Sequence, residues 1–216
     1  MNKEADNKEF TDEGKKRPST EELILKAAER EFLNKGYDGA RTSSIAAEAG
    51  VTHAMLHYYF RTKENLFDRV MADKITVLQG ILTGFFQNED TDLFYRVRLG
   101  VEKHFDLLAA NPDMPMFVLG EAKRGGEVLR RIVQRAFDKL PEMLENLQRQ
   151  IDEGARCGEN AQVDAFMLIL DIVSLNLFAV MSVNMLSVIG LPIERDRYLQ
   201  MRKDEILITI MKRLKP

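Results

Sequence analysis

The chain has 216 residues, 45% of them hydrophobic and 30% charged, with a formal net charge of −3. This apolar fraction excludes a disordered polymer and suits one large domain, or a small domain joined to a medium one. A single cysteine, Cys157, excludes an intrachain disulfide, and the start MNKEADNKEFTDEGKKRP lacks the apolar core of a secretory signal, so a cytoplasmic chain is expected.

Charge is distributed unevenly. Residues 1–18 and 19–63 each balance their acidic and basic side chains, so 64–216 supplies the whole −3. Within 41–63, Arg41, Arg61 and Lys63 oppose only Glu48, which makes that stretch locally cationic.

Residues 1–18 are polar and aperiodic, as in a mobile tail, and their Lys15-Lys16-Arg17 cluster reads as solvated charge that can also touch phosphate. After Pro18, Ser19-Thr20-Glu21-Glu22 has the form of a capping box and predicts a helix over about 20–35. Leu23, Ala27 and Phe32 give that helix an apolar stripe, and Gly36 is placed to end it. Thr42 is expected to cap a second short helix, TSSIAAEAG, with Ile45, Ala46 and Ala49 on its buried face. Gly50 closes it, and Thr52 caps a third helix almost at once, which is a helix-turn-helix arrangement.

On a helical wheel, Leu56, Tyr59 and Phe60 share one arc of the third helix, and His53, Ala54, His57 and Tyr58 fall on the other. An exposed arc of rings able to donate and accept hydrogen bonds suits base edges and phosphates, with Ala54 permitting close approach. Two other readings stand beside it. His53 and His57 have the i, i+4 spacing of a metal pair, but no third ligand or catalytic glutamate accompanies them, so no metal or other cofactor is expected. The rings can also pad a hydrophobic contact, a role that fits Tyr59 better than the histidines.

The run LILKAAEREFLNKGYDGARTSSIAAEAGVTHAMLHYYFRTKENLF resembles the DNA-binding domain of the TetR family of transcriptional repressors over about 20–67. The resemblance rests on Ala27-Ala28 and Phe32, Gly36-Tyr37, Thr42-x-x-Ile45-Ala46, Gly50-Val51-Thr52, Tyr59-Phe60 and Lys63-Glu64-x-Leu66. It implies phosphate contacts for Thr42, His57, Tyr59 and Lys63, base contacts for Ser43, His53, Ala54 and Met55, and stacking on a thymine methyl or sugar for Tyr58. Thr42 and Thr62 stand at helix starts, where free N–H groups attract phosphate, and Thr52 is counted among the DNA contacts as well. Two positions depart from the family pattern: Met55 replaces a frequent threonine and His57 a frequent tyrosine.

From Lys63 onward, amphipathic helices are expected at roughly 63–86, 91–110, 113–123, 126–156, 162–189 and 195–214, with Pro141 kinking or splitting the fourth of them. The fold class is therefore all-α. It comprises a tail at 1–18, a three-helix helix-turn-helix domain at 19–63, and a larger helical domain at 64–216 which the resemblance makes ligand-binding and dimerising. Residues 172–193 contain no charge and are long enough to span a bilayer, but burial between the domain and a partner subunit is the expected outcome, with no membrane.

Leu199, Ile206, Ile210 and Leu214 share a face of the last helix and are the expected dimer contacts. Such a homodimer places its recognition helices about 34 Å apart, or a multiple of it, on a near-palindromic duplex operator. Large apolar residues at helical spacing are usually core. Phe105, Met114, Met116, Phe117, Phe137, Phe178 and Met181 nevertheless lie on helices that enclose the family's cavity, where they could bind a small apolar effector. His104, Asp171, Ser174 and Asn176 could orient it, or only satisfy neighbouring backbone. The expected function is a repressor released from its operator by that effector; the alternative is an architectural or partner-recruiting DNA-bound protein without one. No nucleophile elbow, phosphate loop or metal spacing supports an enzyme.

Overall fold

The computed structural model describes residues 18–86 and 91–216. Expectations for the amino-terminal tail, including Lys15-Lys16-Arg17, lie outside the described residues. Among those described, every regular element is helical: α1 Thr20–Gly39, α2 Thr42–Glu48, α3 His53–Phe60, α4 Lys63–Phe86, α5 Leu93–Ala110, α6 Met114–Lys123, α7 Glu127–Ala136, α8 Leu140–Cys157, α9 Ala165–Val188 and α10 Arg195–Leu214. The chain divides into two compact units, up to Val70 and from Met71, so α4 begins in one and ends in the other.

In the first unit the capping box forms as expected: Glu22 N–H donates to Ser19 Oγ at 3.2 Å, and Ser19 N–H to Glu22 Oε2 at 2.7 Å. Gly36 interrupts the helical backbone at φ 71°, a conformation that costs glycine little. The buried face of α1 is Ile24, Ala27, Ala28, Glu31 and Phe32 rather than one that includes Leu23, which is exposed. Phe32 meets Phe67 edge-on at 4.9 Å, and Tyr37 meets Phe67 at 5.1 Å, so the start of α4 completes this core.

The second unit is centred on α5, α8, α9 and α10, whose Val101, Phe105, Leu147, Ile151, Leu168 and Ile206 are almost completely buried. The expected fourth long helix is two helices, α7 and α8, separated at 137–139. Pro141 lies in the first turn of α8, where its missing N–H costs no helical bond. Asn160 fastens the α8–α9 connection by donating to Ile151 O at 3.0 Å and Ala161 O at 2.9 Å. Ala161 N–H also donates to Leu214 O at 2.8 Å, which ties that connection to the end of α10.

The expected dimer face of α10 requires correction. Leu199, Ile206, Ile210 and Leu214 are all buried in the protomer's own core, because that stripe is the one α10 turns towards α5 and α9. The apolar surface left open lies mainly on α9, where Phe166, Leu170, Val173, Phe178, Met185 and Val188 are exposed, with Met201 and Ile208 exposed on α10. Helix α9 is the one described helix long and apolar enough to cross a membrane, and about a third of its most apolar window is buried.

Candidate nucleic-acid interface

The turn between α2 and α3 is made by local chemistry. Val51 N–H donates to Ala46 O at 3.0 Å, and Gly50 adopts φ 69°, which brings the chain round within four residues. Thr52 then caps α3 by accepting Met55 N–H at 3.2 Å. Thr42 does not cap α2: Arg41 is the cap residue and supplies no side-chain bond. The buried Glu31 carboxylate instead accepts the Arg41 N–H at 3.1 Å and the Lys35 ammonium at 2.9 Å. Burial alone would raise the Glu31 pKa, but these two donors outweigh it and lower the value. No sequence signal marked Glu31 for this task, because the contact spans ten residues.

Leu56 and Phe60 are buried, whereas His53, Ala54, Met55, His57 and Tyr58 are exposed, Tyr58 at 83%. The structure thus gathers on one surface the residues of the outer arc. Tyr59 was expected to share the packing arc; at 41% exposed it lies on its edge, with its ring 5.6 Å from Tyr58 and 6.3 Å from Phe60. Freed from capping, Thr42 Oγ1 lies 3.0 Å from His53 Nε2, and the His53 and His57 rings meet edge-on at 4.6 Å. Ser43 is exposed beside Thr42. Lys63 is half-buried, its ammonium 4.7 Å from the Tyr37 ring centre and donating to Asp38 O at 3.3 Å.

Arg61 is the one non-glycine residue with positive φ among those described, at φ 56° and ψ −50°. With Thr62 N–H donating to Phe60 O at 2.5 Å, it forms a tight γ-turn that leaves only two residues between the end of α3 and the start of α4. The Arg61 carbonyl accepts from His57 Nδ1 at 2.8 Å. A carbonyl only accepts, so His57 is the donor of this bond through Nδ1. The sequence offered one hint of this turn, the short gap between two strong helical patterns.

The expected effector residues are dispersed. Phe105 and Phe117 are buried, Met114 and Met181 are half-buried, and Met116 is exposed. Phe178 and Ser174 correct the expectation of a single lining: both are exposed, since α9 turns its Leu168, Ile172 and Asn176 side inward. Asp171 forms an ion pair with Arg213 of α10. Phe137 lines an open cleft of about 300 Å³ with Gln79, Leu82 and Met143. His104 Nδ1 accepts from the buried Asn176 amide at 3.1 Å, the same amide donates to Val101 O at 3.0 Å, and Asn176 Oδ1 has no partner. Burial lowers the His104 pKa to about 4. Among the described residues no three His, Cys, Asp or Glu side chains come together as a metal site.

Residues 24–70 match the family of bacterial regulatory proteins, tetR family. The HTH-type transcriptional regulator YdgC of Bacillus subtilis is 31% identical over 124 residues, covering 53% of this chain and 62% of YdgC, so the match spans about three-fifths of that relative. The fatty acid metabolism regulator protein of Bacillus subtilis is 24% identical over 63% of this chain and 68% of its own length. The nucleoid occlusion factor SlmA of Vibrio cholerae is 26% identical over 65% and 74%. Two solved structures share the fold. HlyIIR, a hemolysin II transcriptional regulator, has a TM-score of 0.61 and 24% identity, covering 91% of this chain and 97% of its own. FadR from Bacillus subtilis, in complex with stearoyl-CoA, has a TM-score of 0.61 and 19% identity, covering 88% and 97%. The chain thus carries, at 24–70, a helix-turn-helix that matches the tetR family of bacterial regulatory proteins and leaves its outer arc open, followed by an all-helical second unit.

Proposed function

We propose that the protein is a cytoplasmic, dimeric, sequence-specific DNA-binding repressor that leaves a near-palindromic operator when a small apolar effector binds the second unit. The observation that carries the DNA-binding part is the exposure of His53, Ala54, Met55, His57 and Tyr58 on a helix whose Leu56 and Phe60 are buried. Phosphates are met by Thr42, His57, Tyr59 and Lys63, while Ser43, His53, Ala54 and Met55 read base edges. The open apolar face of α9 is covered by a second copy, with Leu170 and Val173 near its centre. In this reading the tail is 1–18, the head 19–63 and the effector and dimerisation domain 64–216.

An effector that weakens operator binding a hundredfold must favour the released geometry by about 2.7 kcal/mol. The FadR structure with stearoyl-CoA, whose acyl chain is long and apolar, supports an effector with an apolar part. The SlmA relatives, named nucleoid occlusion factors rather than effector-responsive regulators, favour the second reading, an architectural or partner-recruiting DNA-bound protein without a small effector. Selecting duplexes from a random pool at low salt, then repeating with candidate apolar effectors, tests both. Enrichment of a palindrome that an effector reverses is the expected result. A palindrome that no effector touches favours the second reading, and no enrichment at all sinks both.

A further inference from the structure

The segment from Lys123 to Lys139 is an island of positive charge in an acidic chain. It carries Lys123, Arg124, Arg130, Arg131, Arg135 and Lys139 against only Glu127 and Asp138, whereas the whole protein is at −3. Most of it is α7, whose apolar arc of Val128, Leu129, Ile132 and Val133 is incompletely covered: Leu129 is buried, yet Val133 remains 38% exposed. Beside that open flank lies a groove of about 480 Å³ between α6 and α7, lined by Val118, Ala122, Leu129 and Val133, with Arg130 and Glu127 also at its lining. Val118 and its neighbour Leu119 are exposed as well.

We propose that this groove binds a small anionic amphiphile, an aliphatic chain ending in an anion. The chain lies over Val118, Ala122 and Val133, and the anion takes Arg130. That guanidinium is held in the free protein by an exposed ion pair to Glu127 at 2.7 Å, a pairing weak enough to exchange for a ligand anion. The surrounding excess of cations raises the local concentration of anions. A bilayer is the poorer occupant, because the apolar arc of α7 faces its own protein through Leu129 instead of standing free for insertion. The volume is that of a small-molecule site and short for a partner helix. As a binding site the groove stands on its own; as the effector site it rests on the regulatory reading above, and it adds an anionic head to the effector class.

Octyl phosphate, 1-octanol and inorganic phosphate, each below micelle-forming concentration, are titrated by calorimetry into the full-length protein at low ionic strength. Octyl phosphate is expected to bind at least tenfold more tightly than either of the others. Arg130→Gln should weaken it roughly five- to tenfold, as removal of a charge-assisted hydrogen bond does. Val133→Asp or, if that variant fails to fold, Val118→Asp should abolish binding with the helical circular dichroism intact. Equal affinity for 1-octanol, no binding of octyl phosphate, or binding indifferent to all these substitutions overturns the proposal. Operator binding is measured separately: octyl phosphate in the groove without operator release removes its effector role and leaves the groove, and a protein that ignores all duplexes sinks the regulatory reading alone.

Discussion

Glu31 illustrates how one side chain positions the reading surface. Its carboxylate takes the Arg41 N–H that α2 would otherwise leave unsatisfied, so it fixes where α2 starts relative to α1. Glu31→Gln should cost on the order of 1 kcal/mol at pH 7, comparable with removing a helix cap. Because the folded pKa is lowered, the carboxylate's contribution is present above the unfolded value and is lost as pH falls through the folded one. Urea denaturation should therefore separate wild type from Glu31→Gln at pH 7, and the gap should close as the pH falls below the ordinary carboxylate range. His104 has the opposite chemistry and the same direction of acid sensitivity. Burial holds its pKa near 4, so the unfolded chain takes up a proton between roughly pH 6.5 and 4 that the folded one refuses. Stability should fall across that window by at most about 3 kcal/mol, and His104→Gln should remove most of the fall. A pH profile of unfolding identical in both proteins would refute it.

At the scale of elements, two glycines with opposite roles make a paired test. A methyl group at Gly154 of α8 would collide with the Asn160 amide that ties down the α8–α9 connection, so Gly154→Ala should destabilise by about 2 kcal/mol or more. Gly80 in α4 has open space around its Cα, and Gly80→Ala should raise the melting temperature, being worth roughly 0.5–1 kcal/mol of helix propensity. Much at this scale was legible in the sequence. Ser19 with Glu22, Thr52 with Met55 N–H, and the break at Gly50 are local devices whose partners lie within four residues, so spacing alone reveals them. Leu23 and Ile24 show the limit, since either fits a helical stripe and only the neighbouring helices decide which is covered. Thr42 shows it again: a threonine before a helical run looks like a cap, yet Glu31 takes that work and Thr42 turns to His53.

At the scale of the whole molecule, the proposed dimer makes the most discriminating prediction. Leu170→Asp or Val173→Asp, on the open face of α9, should yield a monomer in sedimentation and leave unfolding of the protomer nearly unchanged. Operator affinity should collapse in the same variants, with the log–log salt slope falling by about 0.9 for each phosphate that the protein no longer neutralises. A Val173→Asp protein that remains dimeric would place the second copy elsewhere.

The sequence by itself determined the helical class, the limits of most helices and all but Tyr59 of the arc of α3 that meets solvent, because each depends on caps, breakers and periodicities within a turn or two of chain. Tertiary structure alone decided which of two apolar faces on α10 became core, that α9 rather than α10 carries most of the uncovered surface, and that Phe178 and Ser174 point away from the protein interior. A helix that is apolar on most sides leaves the choice of buried face to whatever packs against it, and that choice is made between residues far apart in the chain.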